Sequence, residues 1–374
     1  MKIALVAPYF PPDIGGIETY TYELAKRLSE ENEVCVFTSG SGTTETCDGV
    51  KVFRLRAIDV QDLPFSPKVP YPVPASLLLR LAKSDVDIIH AHGHAFATTL
   101  QAALAARIAH RPFVLTIHDV GVAYQDIMVM RGIRPILDST MAAYVFGRAD
   151  VVVLQNEATH SYASKFGPRR MIMIPQGVDL DRFGSEEEGE CITFIAARLV
   201  PQKGGDVFVR AIPTVMKEFG ETKFVVIGDG NQRGHLERLA ARLGVRGNID
   251  FVGGIPHRLV PDYLSQAKIV VFPSEIPTGL LLLEAAAMKR AIITTRNAWA
   301  MDSLGDTPFY ISAGDPEGTA NAIIRLLNND DERDKIARLV CAKVDRERSW
   351  DNVVSKHMMM YHQLVSEDRT HLTQ

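Results

Sequence analysis

Residues 1–38 read MKIALVAPYFPPDIGGIETYTYELAKRLSEENEVCVFT, and this stretch decides the fold. Residues 3–7 are apolar at every position, as in a strand covered on both faces. Gly15-Gly16 follow; Ile17, Tyr20, Leu24 and Leu28 then recur at helical spacing, and a second apolar run begins at Val34. The unit is strand, glycine loop, helix, strand, the opening of a parallel α/β sheet. The first run does not suit a secretory signal, because it is short and is interrupted by Pro8, Pro11, Pro12 and Asp13.

Outward from this unit the same alternation continues. Strand-like runs occupy residues 34–38, 50–55, 88–91, 113–117, 151–154 and 171–174. A charged, glycine-bearing stretch at 185–190 reads as an exposed linker. The pattern then restarts with runs at 192–197, 223–227, 249–252, 269–272 and 291–295, alternating with helical stretches near 206–219, 235–243 and 280–288. At the end, Trp350, Val353, Val354, His357, Met358, Tyr361 and Leu364 share one side of a helix. We therefore expect an α/β chain of two doubly wound, Rossmann-like domains, 1–182 and 183–349, followed by a helix over 350–374.

Composition agrees. The 374 residues allow about two domains at roughly 100–200 residues each. With 46% hydrophobic and 23% charged residues, the chain is neither disordered nor fibrous. The 41 basic and 45 acidic side chains leave a net charge of -4, which disfavours nucleic acid as the main partner. Cys35, Cys47, Cys191 and Cys341 form no Cys-x-x-Cys or zinc spacing, so they read as reduced residues of a cytoplasmic protein. No run approaches the roughly 18 apolar residues of a membrane span, so any membrane contact is expected to be peripheral.

In open α/β sheets, ligands bind beyond the carboxyl ends of the strands, so polar residues just after each run carry the most weight. Gly15 and Gly16 open a helix N-terminus, a place that favours an anion, although a tight turn explains them equally well. His118 closes the run 113–117, at the same edge. His90, His92 and His94 follow another strand; a metal site is disfavoured because no carboxylate stands nearby. Arg198 and Lys203, with Gly204-Gly205 beside them, form an anion site after residues 192–197. Gly228-Asp229-Gly230 is the next loop at that edge. Glu284 lies on an otherwise apolar helix, so its carboxylate needs a specific partner, a sugar hydroxyl or a basic side chain.

The ordered set of Gly15-Gly16, Thr116–Asp119, Gly177-Val178-Asp179 with Phe183, Arg198 with Lys203, Gly228–Gly230, Pro273-Ser274 and Glu284-Ala285 resembles the retaining glycosyltransferases of family four, which have the GT-B fold. The resemblance implies two Rossmann-like domains facing a cleft. The first would bind the acceptor and the second a nucleotide-sugar, and a final helix would cross back onto the first. It implies that Arg198 and Lys203 hold the donor diphosphate and stabilise the leaving group without a metal. Glu284 would hold the ribose, Ile255 and Pro256 would border the base, and Gly15, Gly16, Gly230, Gly279 and Leu280 would complete the donor site. His118 would contact the transferred sugar near its reacting carbon. Transfer would proceed by same-face attack, with the departing phosphate taking the acceptor proton.

One departure is specific. Family members carry two glutamates separated by seven residues, and the first would fall on Ile276; Glu275 stands one place earlier, and Thr278 replaces a common phenylalanine. Either the loop shifts so that Glu275 contacts the sugar, or that contact is lost or altered. Asp85-Val86-Asp87 and Asp179-Leu180-Asp181 spell Asp-x-Asp, but the first precedes its strand and the second lies in a turn, so no metal or other cofactor is assigned. The expected activity is hexosyl transfer from a UDP- or GDP-sugar to a glycan, lipid or small-molecule hydroxyl. The rival readings are a catalytically silent nucleotide-sugar-binding or scaffold protein and a sugar-nucleotide epimerase. A lipid acceptor, with contact at the cytoplasmic membrane face, is suggested by Ile127, Met128, Met130, Ile133 and Ile136 mixed with Arg131 and Arg134; an amphipathic helix pair packed in the first domain accounts for them too.

Overall fold

The computed structural model describes residues 1–13, 15–59, 71–118, 138–184, 189–276 and 278–372. The chain divides into two compact units, Met1–Gln176 with Trp350–Gln374, and Gly177–Ser349.

In the first unit, β1 (Lys2–Val6), β2 (Glu33–Gly40), β3 (Thr44–Cys47), β4 (Val50–Asp59), β5 (Pro72–Pro74), β6 (Ile88–His92), β7 (Phe113–Ile117), β8 (Val151–Leu154) and β9 (Met171–Met173) form one sheet. Its order is β3-β4-β2-β1-β6-β7-β8-β9, with β5 paired to β4. The pairing is parallel from β4 through β9, and β6, β7 and β8 are buried at every position, which is why their sequences are mostly apolar, His90, His92 and Thr116 being the polar exceptions. The chain leaves β1 toward β2 and returns to its other side at β6, so the strand order reverses between β1 and β6. Strand β3 escaped the sequence reading because its residues are exposed and polar. A two-residue Asp48-Gly49 turn, with φ of 46° and 81°, joins it to β4 as an antiparallel hairpin.

The second unit contains β10 (Cys191–Arg198), β11 (Phe224–Asp229), β12 (Ile249–Gly253), β13 (Ala267–Phe272), β14 (Ala291–Thr295) and β15 (Phe309–Ile311), all parallel. Their order, β12-β11-β10-β13-β14-β15, is that of a dinucleotide-binding Rossmann sheet, with its reversal between β10 and β13. Helix Gly205–Glu218 buries Phe208 against this sheet, its ring 5.6 Å from Phe194 and 6.1 Å from Phe224.

The boundary between the units falls at 176/177 rather than 182/183. Val178 donates its N–H to the Arg348 carbonyl at 2.9 Å and bridges Ser349, and Arg182 donates to the His257 carbonyl at 2.9 Å, so this turn is fastened to the second unit. Ser349, in extended conformation, breaks helix Asp330–Arg348 from helix Trp350–Leu372, and the latter belongs to the first unit. There Trp350 lies 5.4 Å from Tyr20 and under the Arg27 guanidinium, and Tyr361 is fully buried with its hydroxyl 2.6 Å from His90 Nδ1.

This anchoring predicts that Tyr361→Ala costs about 3–5 kcal/mol and exposes the final helix to hydrogen exchange. Met359→Ala, at a side chain 73% exposed, should be near neutral. Denaturant unfolding with amide exchange of residues 350–372 checks both.

Candidate functional site

The second unit gathers two cations and two glycine-bearing loops at its strand-order reversal. Arg198 is the exposed last residue of β10, and Leu199 donates its N–H to the Asp229 carbonyl at 2.8 Å. A short turn, Pro201–Lys203, delivers Lys203, whose ammonium is lowered to about 8 by burial, with the Arg198 charge adding to the effect. Two cations at one strand end raise each other's energy, and a bound anion would relieve both. Gly204 has φ 73°, and a Cβ there would run into the Pro273 carbonyl oxygen, so only glycine lets this loop approach the loop after β13. The two loops are then joined: the Glu275 N–H and the Ser274 hydroxyl donate to the Gln202 carbonyl at 2.9 and 3.2 Å. Gly230, with φ 153°, fits against the Leu199 backbone in the same way.

The buried carboxylate expected at Glu284 is found. It is 1% exposed on helix Leu280–Ala287, and its Oε1 sits 2.5 Å from His257 Nε2. Its Oε2 is buried with no hydrogen-bond partner among the described residues, a costly state for an acceptor unless something donates to it. His257 follows Ile255 and Pro256 after β12, and the Phe183 ring lies 6.2 Å from its imidazole. Gly279, with φ 71°, precedes the helix that begins at Leu280. The His257–Glu284 pair was beyond sequence reasoning, since 27 residues separate the partners.

Glu275 is exposed and lines a hollow of about 500 Å³ with Gln202, Gly204, Pro273 and Gly314, of which Gln202 and Gly204 flank Lys203. Ile276, half-buried, donates its N–H to Ser274 Oγ at 3.3 Å.

In the first unit, Gly16 opens helix Gly16–Leu28, and a Cβ there would meet nothing within 4 Å, so the approach to this helix end is open. At Gly15 a Cβ would strike the Glu18 carboxylate, which folds over the helix N-terminus and is raised by burial. An anion arriving at this helix end must displace or protonate Glu18. His118 lies beyond β7 with its ring 5.0 Å from Tyr20, its Nδ1 3.1 Å from the Gln155 amide and its Nε2 3.1 Å from His92 Nδ1. Gln155 ends its own strand as His118 does, so the strand-end rule would have found it.

His118 thus lies between the Gln155 amide nitrogen and His92 Nδ1, and His92 Nε2 is buried with no hydrogen-bond partner among the described residues. His90 spends both nitrogens, on Tyr361 and on Thr116 Oγ1 at 2.6 Å each, and His94 packs between Phe146 and Tyr162, so the histidine run forms no metal cluster. No group of three His, Cys, Asp or Glu side chains suited to a metal occurs among the described residues. Asp85 pairs with Lys2 at 2.5 Å, and the Asp179 carboxylate accepts the Arg182 N–H at 3.2 Å. Residues 127–136, singled out for membrane contact, lie outside the described residues.

Burial holds these imidazoles neutral. His118 is lowered to about 3, His357 to about 4, and His90 and His92 well below the ordinary value of 6.5. Below pH 6.5 the unfolded chain binds protons that the folded chain refuses, so stability falls as pH drops, by at most about 1.4 kcal/mol per histidine per unit. Urea midpoints should be level between about pH 7 and 7.5, decline below 6.5, and rise again above 8 as Lys203 loses its proton in the folded chain first; His357→Leu should flatten the acid-side decline.

Comparison with known proteins matches this geometry in two consecutive pieces. Residues 14–182 fit the family described as Glycosyltransferase Family 4, and residues 190–329 fit Glycosyl transferases group 1. A GDP-mannose-dependent alpha-(1-6)-phosphatidylinositol monomannoside mannosyltransferase of Mycolicibacterium smegmatis is 27% identical over 86% of this chain and 88% of its own length. A phosphatidylinositol N-acetylglucosaminyltransferase component of Arabidopsis thaliana is 24% identical over 96% and 81%. In fold, Anabaena HepE in complex with UDP-glucose superposes with a TM-score of 0.76 at 17% identity, covering 97% of this chain and 100% of that one. Sucrose-phosphate synthase from Thermosynechococcus elongatus gives 0.73 at 18%, covering 98% and 99%. With both Rossmann-like units matched in order, the chain belongs to glycosyltransferase family four and is a glycosyltransferase of the GT-B fold.

Proposed function

We propose that the protein moves a hexose or related sugar, with retention of configuration, from a UDP- or GDP-sugar to an acceptor hydroxyl. The observation that carries this reading is the pair of cations at the strand-order reversal, Arg198 beside a Lys203 whose charge is already disfavoured. Such a pair is placed to receive a diphosphate and to stabilise the negative charge that grows on it as the glycosidic bond breaks. That is the electrostatic work a metal ion performs in other transferases, so no metal is invoked.

In this reading Glu284, held by His257, accepts from the ribose hydroxyls, and a donor hydroxyl reaches its unpartnered Oε2. Ile255 and Pro256 border the base. The N-terminus of helix Leu280–Ala287, behind Gly279, faces the phosphates. Gly15, Gly16 and His118 serve from the first unit. With both ring nitrogens engaged and its basicity suppressed, His118 contributes a fixed, neutral contact to the sugar rather than a proton; the leaving phosphate takes the acceptor proton. Glu275, exposed on the loop that joins the Gln202 carbonyl, is the carboxylate offered for the first glutamate contact. The named relatives act on phosphatidylinositol compounds, which supports a lipid-linked acceptor at the cytoplasmic membrane face; no helix among the described residues is long and apolar enough to cross a membrane.

Thermal shifts with UDP-, GDP- and ADP-sugars identify the donor, since a ligand at 100 times its Kd adds about 2.7 kcal/mol. Arg198→Ala should lower transfer by about 10²–10³, and His118→Ala should reduce kcat with nucleotide affinity unchanged. A wild-type protein that binds nucleotide yet turns over no donor would leave the silent-binding reading in place. Lys203 also sets a pH signature. It is charged below about pH 8, so nucleoside diphosphate affinity should fall as pH rises through 8. Lys203→Arg should remove that fall because guanidinium stays charged. Affinity independent of pH between 7 and 9.5 would exclude Lys203 from the diphosphate.

A further inference from the structure

A doubly wound sheet needs helices over both faces, and on one face of the first unit the cover that the described residues place beside β2 and β4 is short. Between β5 and β6 the described chain supplies only helix Leu77–Ala82, six residues and about 9 Å of rise, while β2 has eight residues and spans about 26 Å. Leu77 and Leu81 of that helix are fully buried, but Leu79 is left 62% exposed. Beside it lies a cavity of about 780 Å³, within the size range of small-molecule sites.

Its floor is apolar. Cys35 opposes Lys51 and Phe37 opposes Phe53 across the β2–β4 ladder, and the two phenylalanine rings stack at 4.8 Å. Val86 and Leu79 complete the wall. The Cys35 thiol is pushed up to about 11 by burial, so this is no thiolate site. The rim is basic: Lys2, Lys51, Arg80 and Lys83 face only Glu33 and Asp85, a local excess of two positive charges on a chain of net charge -4. Both carboxylates pair with Lys2, at 3.8 and 2.5 Å. Lys51, Arg80 and Lys83 have no carboxylate within 4.0 Å among the described residues, and Lys51 Nζ sits 5.1 Å from the Phe53 ring centroid, where floor meets rim.

An apolar floor under unmatched cations fits one kind of guest. We propose that this cavity binds a single-chain anionic amphiphile, its chain on Phe37, Phe53 and Leu79 and its phosphate or carboxylate head at Lys51, Arg80 and Lys83. Lys2 and Glu33 begin β1 and β2, so the site is at the amino-terminal edge of the sheet, whereas Gly15-Gly16 and His118 lie beyond the carboxyl ends. It is separate from the donor and acceptor chemistry and stands whether or not that assignment holds.

Calorimetric titration of the full chain with dodecyl phosphate, below its micelle-forming concentration, tests the proposal. Saturable 1:1 binding is expected. Leu79→Glu, and Arg80→Glu with Lys83→Glu, should each weaken it at least about tenfold, while the circular-dichroism melting midpoint stays within a few degrees. Uncharged dodecyl maltoside should bind at least about tenfold more weakly. A dodecanoate arm reads the head group: equal binding assigns a general anion site, and binding of the phosphate alone assigns a phosphate site. No saturable binding of either anion, equal binding of the maltoside, or unchanged affinity in both variants overturns the proposal. So does binding to phosphatidylcholine–phosphatidylglycerol vesicles without binding to the monomer.

Discussion

Two neighbouring parallel strands whose connections depart in opposite directions cannot both be roofed at their carboxyl ends, and the loops that carry Gly15-Gly16, Arg198, Lys203 and Glu275 follow from that constraint. It operates twice, between β1 and β6 and between β10 and β13. At the second, the opening is kept narrow by the approach of Gly204 to the Pro273 carbonyl and by two donors on the Gln202 carbonyl. Loops anchored this way hold Arg198 and Lys203 without help from a ligand, and preorganised charge stabilises a developing anion without reorganising at the moment of reaction.

Preorganisation has a cost visible in the protonation states. Lys203 is less basic than a free lysine, Glu284 keeps one oxygen without a donor among the described residues, and four imidazoles are held neutral. These are polar groups buried for position rather than for stability. The final helix shares in the arrangement: Tyr361 bonds His90, His90 bonds Thr116, and Trp350 backs Tyr20, whose ring backs His118. The helix that closes the chain thus belongs to the packing around its first candidate site.

Much of this was legible in the linear sequence because it is local. Apolar runs announced β1, β6, β7, β8, β10 and β13, since strands covered on both faces have few polar positions to disguise them. Arg198, Lys203, Gly204 and Glu284 were legible because a polar residue directly after such a run, or alone on an apolar helix, needs a reason. Strand β3 was not: Thr44–Cys47 is exposed and polar, and only the Asp48-Gly49 turn marks it. Glu275 was readable as a candidate, and its backbone N–H joins the Gln202 carbonyl next to Lys203.

The sequence by itself determined the alternation of strand and helix, the edge at which chemistry would gather and the residue types waiting there, because each depends on neighbours a few positions apart. Only the tertiary structure decided which groups meet. His257 reaches Glu284, Gln155 and His92 flank His118, and Tyr361 finds His90 across 271 residues. Those pairings depend on strand order and on the packing of helices, which no local pattern encodes, and burial together with these partners sets the charge state of the groups.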